Sequence, residues 1–326
     1  MKLSIVIPVY RTEDVLKRCL DSFAEQTDGD FEAIVVDDCS TGNCQEIVAR
    51  YDARFRYVRH ERNLGLLQAR ITGLKAATGD VVVPFDSDDY AQPELLARLK
   101  AEFAADAETD VVVYQMQYDD GRRIRMPSVR YRDERMSGAE ALDRLFASRI
   151  QCAICGKAVR RETYLKAVRE LDVTQDFHLN SSEDLLQTFP VLLNARKVST
   201  LSYPGYRYWT NPDSLSTTLT DPARMGKAAE NVRRVFDTLE RLVRANGYDL
   251  GLVTRLEKFA EPTLEWYLGC IRHLPEERWR ACAAELCKFF PPDLVARKAM
   301  TLVEGSMTFR LGRLLTLPLR LIRGKS

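Results

Sequence analysis

The stretch VVVPFDSDDYAQPELL, residues 81–96, places three carboxylates within four positions, Asp86, Asp88 and Asp89, directly after an apolar β-branched run and a Phe. The run reads as a buried strand, and like charges crowded at its end either raise one another's pKa or gather around a cation. A hard divalent ion, Mg²⁺ or Mn²⁺, takes oxygen ligands and commonly uses one or two carboxylates together with substrate phosphates. A turn that caps the next helix would account for one such Asp, since Asp favours both sites. Three of them after a buried strand, with a second acidic pair elsewhere in the chain, favour the metal site.

Working upstream, LSIVIPVY (3–10) is another buried run. Thr12, Glu13 and Asp14 open a helix in which Val15, Leu16, Cys19, Leu20 and Phe23 recur at helical spacing. FEAIVVDDCST is a strand ending in Asp37 and Asp38, FRYVRH a short third strand, and LLQARITGLKAA a helix that leads into the opening stretch. Strand, helix, strand, helix, strand predicts an open, mostly parallel sheet with helices on its faces, and such sheets bind ligands at the carboxyl ends of their strands. Both acidic clusters fall at that edge. Asp38 is placed to accept hydrogen bonds from a ribose hydroxyl or a base N–H; Asp37 is assigned to an Asx-turn.

Downstream, a helix is expected at 93–104, a strand at 110–118, then a helix-rich stretch and a strand near KVSTLSY. In NSSEDLLQTF, Glu183 and Asp184 precede an apolar run, which sets two carboxylates in the first turn of a helix, where the dipole favours negative charge. They cap that helix together with Ser182, or one of them serves as a general base. YPGYRYWTNPDSLS (203–216) is aromatic with a single Arg, Arg207, suited to stacking on sugar faces and contacting a diphosphate, or to packing the edge of the sheet. Beyond Asp221 amphipathic helices take over, one marked by Val232, Val235, Phe236, Leu239, Leu242 and Val243, others around Trp266 and Trp279. The expected division is 1–220, with halves at 1–115 and 116–220, followed by a helical region at 221–326.

The chain has 326 residues, 45% of them hydrophobic, enough for one large domain or a domain with a sizeable appendage. With 48 Lys+Arg against 47 Asp+Glu the net charge is +1, so no global field points to nucleic acid. MKLSIVIPVYRTED lacks the features of a secretory leader, and no uncharged run approaches the roughly 18–20 residues that span a bilayer, so a cytoplasmic protein is expected. Of eight cysteines only Cys152 and Cys155, in CAIC, are closely spaced; no second pair completes a zinc site, and reduced thiols are expected. His60, His178 and His273 show no partner pattern. At the end of the chain, SMTFRLGRLLTLPLRLIRGKS gathers leucines on one side of a helical projection and Arg310, Arg313, Arg320 and Arg323 on the other. It reads as a packed terminal helix or as an interfacial one on the anionic inner leaflet of the cell membrane.

LSIVIPVYRTEDVLKRCLDSFAEQT, FEAIVVDDCST and ERNLGLLQARITGLKAATGDVVVPFDSDD, in that order and spacing, resemble the amino half of family 2 glycosyltransferases with the GT-A fold. The resemblance is strong over about 1–115 and weaker to about 220. It implies a Rossmann-like, mostly parallel sheet with helices on both faces and inverting transfer of a sugar from a nucleotide-diphosphate donor, usually a UDP-sugar. The acceptor hydroxyl would belong to a glycan or a lipid-linked acceptor, as for family members that build bacterial surface polysaccharides. By that analogy Pro8 and Tyr10 border the base and Asp38 reads the uracil. Asn63 and Arg70 line the donor pocket, Asp86 and Asp88 form the DxD pair, and Asp89 is an adjacent helper. Asp88 becomes the foremost metal ligand, and Asp184 the base. Arg11, Cys39 and Ile71 depart from the Asn, Gly and Asn often found there. A sugar nucleotidylyltransferase is disfavoured because IPVYRTED has no glycine. A non-catalytic nucleotide-sugar-binding protein is disfavoured by the retained DxD carboxylates and Asp184.

Overall fold

The computed structural model describes residues 1–179, 182–210, 221–272 and 274–304, the side chains of 300–304 excepted. The chain divides into two compact units, Met1–Asn211 and Pro212–Ser326. In the first, the apolar runs form strands buried along their length: β1 (Leu3–Val9), β2 (Phe31–Asp37) and β4 (Val81–Pro84). β3 (Phe55–Arg59), β6 (Thr109–Asp119) and β10 (Lys197–Trp209) continue the same sheet. The short strands β5 (Tyr90–Ala91), β7 (Ile124–Arg125), β8 (Glu134–Ser137) and β9 (Lys157–Arg160) complete the ten among the described residues.

The strand order is β3-β2-β1-β4-β9-β6-β10-β5, with β7 on β6 and β8 on β10. β1 pairs parallel with both β2 and β4, and β2 with β3. β4 and β6 each run antiparallel to β9, so they share a direction, and β10 joins β6 in parallel. Six strands thus point one way and the four short ones oppose them.

Helices α1 (Glu13–Ala24) and α2 (Cys44–Val48) cross from β1 outward to β3, whereas α3 (Leu66–Ala76) returns from β3 past β1 to β4. Right-handed crossovers place those two directions on opposite faces of the sheet. Gly73 lets α3 lie against β1, because a Cβ there would meet Val6 Cγ1 at 2.3 Å. α4 (Leu95–Ala105) packs on β6 and β10, while α5 (Gly138–Phe146), α6 (Arg161–Leu171) and α7 (Glu183–Asn194) pack together, α6 also touching α3. Phe85 joins the layers, edge-on to Phe23 of α1 at 4.8 Å and tilted over Tyr206 of β10 at 4.4 Å.

The second unit consists of α8 (Pro222–Ala245), α9 (Gly251–Ile271), α10 (Glu276–Leu286) and α11 (Pro292–Glu304). Met225, Val232, Leu264, Leu268, Trp279 and Leu286 are part of its core. Pro222 opens α8 behind Asp221, whose side chain accepts from Arg224 N at 3.1 Å. No described helix is long and apolar enough to cross a membrane. The basic tail at 306–326 and residues 211–216 of the aromatic stretch lie outside the described residues.

Candidate active site

The parallel register sets the ends of β1, β2 and β4 side by side, and the chain that follows each supplies a wall. After β1, Tyr10 is 43% exposed with the Arg11 guanidinium 5.0 Å from its ring centroid, whereas Pro8 is buried inside the strand. After β2, Asp37 takes the structural part expected of it, accepting from Ser40 N at 2.7 Å and from Tyr57 OH at 2.6 Å. Asp38 is buried: Oδ1 accepts from Leu64 N (2.8 Å) and faces His60 Nδ1 (2.7 Å), and Oδ2 accepts from Gly65 N (2.8 Å). A carboxylate has about four acceptor sites, and the contacts among the described residues fill three of those of Asp38. Asn63 donates to the Asp38 carbonyl at 3.3 Å. Gly65 can offer its amide because it sits at φ 88°, a conformation that strains any other residue type.

His60 was given no role by its spacing, yet it links Asp38 to Thr72 Oγ1 on α3 (2.9 Å from Nε2). Nothing in its local sequence signals this, because Asp38 lies 22 residues away.

The centre of the site is Arg70 on α3, 2% exposed. Its Nη2 donates to Asp86 Oδ1 at 2.8 Å, and its Nη1 to Glu183 Oε1 and Asp184 Oδ1, each at 3.3 Å. Burial opposes its charge, but Asp86, Asp184 and Glu183 outweigh that and hold the guanidinium pKa well above its ordinary value. One cation thus ties the acidic end of β4 to the first turn of α7, with Glu183 lying 113 residues beyond Arg70 in sequence. Ser182 makes no side-chain cap on α7, so the two carboxylates face Arg70 and do not simply close a helix end. Burial, then the charge of Asp184, raises the pKa of Glu183. Asp184 is the open member of the pair, its side chain 35% exposed against 8% for Glu183.

The three carboxylates of the opening stretch part company. Asp88 is half-buried and has no ion pair among the described residues; burial and then the charge of Asp86 raise its pKa. Asp89 is 1% exposed and accepts from Tyr206 OH and from Trp209 N (2.7 Å), so its side chain anchors β10. Among the described residues no group of three His, Cys, Asp or Glu side chains converges as a metal cage. What the protein can offer a divalent ion is Asp88 with Asp86, a donor set suited to a hard cation that is completed by substrate phosphate oxygens. Burial first, and then the Asp86 charge, raise Asp88; a bound cation would relieve the second of these.

Arg207 on β10 is half-buried, with Nη2 3.4 Å from Gln92 Oε1 and Nη1 buried without a hydrogen-bond partner among the described residues. Arg18 of α1 went unread in the sequence; it donates to the Asp88 carbonyl at 2.6 Å and lies over the Trp209 ring at 4.2 Å. Only its place on the sheet-facing side of α1, one position before buried Cys19, hints at this. All eight cysteines are free, and Cys155 receives a bond from Arg70 at 3.6 Å.

This site, at the carboxyl edge of a mostly parallel sheet, belongs to a defined class. The pattern of glycosyl transferase family 2 matches residues 4–169, and the chain belongs to that family. The poly(ribitol-phosphate) beta-N-acetylglucosaminyltransferase TarS of Staphylococcus aureus strain MW2 is 32% identical over 222 residues, 64% of this chain and 36% of that protein. The poly(ribitol-phosphate) beta-glucosyltransferase of Bacillus spizizenii is 29% identical over 240 residues, 71% of this chain and 36% of its own. The chain thus spans about a third of the length of these relatives. The crystal structure of S. aureus TarS 1–349 in complex with UDP-GlcNAc superposes with a TM-score of 0.61 at 22% identity, covering 95% of this chain and 93% of that one, which shows the shared GT-A fold.

Proposed function

We propose that the protein transfers a sugar from a nucleotide-diphosphate donor, a UDP-sugar, to a hydroxyl of a glycan or lipid-linked acceptor, with inversion. The observation that carries this reading is the Arg70 bridge, which brings the DxD carboxylate Asp86 and the exposed carboxylate Asp184 to one cation. Donor-side and acceptor-side groups must share one locus for a direct displacement, and the bridge supplies that locus.

In the proposed reaction Asp184 accepts the proton of the acceptor hydroxyl as its oxygen attacks the anomeric carbon, and the bond to the diphosphate breaks on the opposite face. Arg70 holds Asp184 toward the site, and buried Glu183, raised in pKa, leaves the more open Asp184 as the proton acceptor. Asp38 and Asn63 meet the base and ribose side, with Tyr10 exposed beside them for stacking on the base. Arg207 is assigned to the diphosphate, as a guanidinium suited to bidentate contact with phosphate oxygens. Asp88, assisted by Asp86, would hold Mg²⁺ or Mn²⁺, which when bound neutralises charge on the departing diphosphate. The similar TarS structure holds UDP-GlcNAc, which makes that the first donor to test.

The test is a panel of UDP-, GDP- and CDP-sugars with Mn²⁺, scored by thermal shift and by release of nucleoside diphosphate. A UDP-sugar is expected to stabilise the protein and to be turned over. Stabilisation by a donor that is never hydrolysed or transferred, whatever glycan acceptor is supplied, would favour a binding protein.

A further inference from the structure

β9 opens with Lys157, a cation 1% exposed that the proposed reaction leaves unused. Its ammonium donates to Gln151 O at 2.8 Å and to Ala153 O, both in the loop that leads into the strand. The carbonyl between them, that of Cys152, accepts from Thr188 Oγ1 of α7 at 2.7 Å. Among the described residues Lys157 has no ion pair; two carbonyl oxygens hold its ammonium directly, and the charge of Asp184 acts on it only through space. Lysine is almost never fully buried for packing, since an apolar side chain fills space at less cost.

The geometry of one peptide bond gives the charge a use. A trans peptide carries its C=O and N–H on opposite sides of a plane. The plane joining Ala153 to Ile154 turns its oxygen to Lys157, and its Ile154 N–H donates to Asp184 Oδ1 at 3.1 Å. We propose that Lys157 is a positioning residue that, through the Ala153–Ile154 peptide plane, holds the Ile154 amide on Asp184 and so aims that carboxylate. The proposal rests on Asp184 being the base. An ammonium on the carbonyl polarises the peptide and strengthens its N–H as a donor. A hydrogen bond from the amide favours the ionised carboxylate, so removing the Lys157 charge weakens that support and moves the acid limb of kcat to higher pH. The other groups that act on Asp184 stay in place: Arg70 of α3, Glu183 beside it, Tyr164 of α6, and Cys152 and Cys155 in the loop.

The experiment compares Lys157→Met with Thr188→Val, which frees the neighbouring Cys152 carbonyl without touching the charge. It reads UDP binding, the kcat–pH profile and the Ile154 amide resonance in protein labelled with ¹⁵N-isoleucine. Lys157→Met is expected to bind UDP as the parent does and to lose about tenfold in kcat, a part of the roughly 10²–10⁴-fold that general base catalysis supplies. Its acid limb should move to higher pH and the Ile154 proton upfield, while Thr188→Val leaves both in place. Should the Met variant not fold, Lys157→Gln, whose amide NH₂ keeps donors without the charge, carries the same comparison. A folded variant with an unmoved limb and an unmoved Ile154 resonance overturns the proposal, as does an equal shift in Thr188→Val. If Asp184→Asn keeps full turnover, the base assignment fails, yet the Ile154 resonance, read without turnover, still decides whether Lys157 aims that amide.

Discussion

At the residue scale, the site turns on which of several crowded carboxylates does which task. Asp184 and Glu183 are neighbours on one helix, yet burial withdraws Glu183 and leaves Asp184 open. Asp184→Asn keeps the size and can still accept from the Ile154 amide, but it cannot take a proton. Turnover should fall roughly 10²–10⁴-fold while UDP binding persists, and equal losses in both would mark a structural role instead. Asp88 is separated from Asp89 by the same logic of burial. Asp88→Ala, or chelation of the parent enzyme with EDTA, should abolish transfer and leave the melting curve intact, because among the described residues the Asp88 side chain pairs with no other residue's side chain. Full activity of Asp88→Ala in chelator would remove the metal assignment. Asp89→Ala should behave differently and lower the melting temperature, since it frees buried Tyr206 OH and Trp209 N at once.

At the element scale, the sheet is knit by side chains as well as by its ladder. Glu32 of β2 is buried and accepts from Ser4 Oγ of β1, from Thr78 N and Oγ1 in the turn before β4 (each at 2.7 Å), and from Arg56 of β3 at 2.9 Å. Burial alone would raise its pKa; those bonds overcome it and hold the carboxyl down at about 2. A carboxyl held low in the folded state contributes stability above its unfolded pKa and loses it as pH falls through the folded value. Glu32→Gln should therefore cost about 2 kcal/mol at neutral pH, the worth of hydrogen bonds to a charged group. Urea unfolding at a series of pH values should show the gap between parent and variant closing from about pH 5 downward; a gap constant down to pH 3 would refute the account. The elements themselves were legible where a run carries its own pattern: β1, β2 and β4 by continuous apolar residues, α1 and α3 by helical spacing. β5, β7 and β9 were not, because two to four residues hold no period and are specified by the strands they meet. For the same reason YPGYRYW was read apart from KVSTLSY, although one strand, β10, spans both. The DxD and ED carboxylates were readable as clusters. Their joint hold on Arg70, and the diversion of Asp89 to β10, depend on contacts more than a hundred residues apart, which no local pattern encodes.

At the scale of the whole molecule, the proposed transfer would need the sheet edge to meet an acceptor, and the basic tail offers one way to test how. Residues 306–326 contain four Arg, one Lys and no acid. On a helical projection Met307, Leu311, Leu314, Leu315, Leu319, Leu321 and Ile322 gather opposite Arg310, Arg313, Arg320 and Arg323, with Phe309 and Leu317 as exceptions. Pro318 should kink or split such a helix, and its longest uncharged run is far too short to span a bilayer. An interfacial helix on anionic lipid fits this composition: each basic residue near the surface adds about 1 kcal/mol and the leucine face adds apolar burial. With a net charge of only +1 on the whole chain, non-specific attraction to anionic lipid is weak, so binding would have to come from this segment. Sedimentation with liposomes containing phosphatidylglycerol should therefore pellet the full chain at low salt. The bound fraction should fall steeply as ionic strength shortens the screening length, and it should vanish on deletion of residues 306–326. Liposomes of neutral lipid separate the two contributions, since the leucine face alone should bind them weakly and without salt dependence. Equal partitioning of the full and truncated chains would assign the segment to packing, and the acceptor would then have to reach the site from solution.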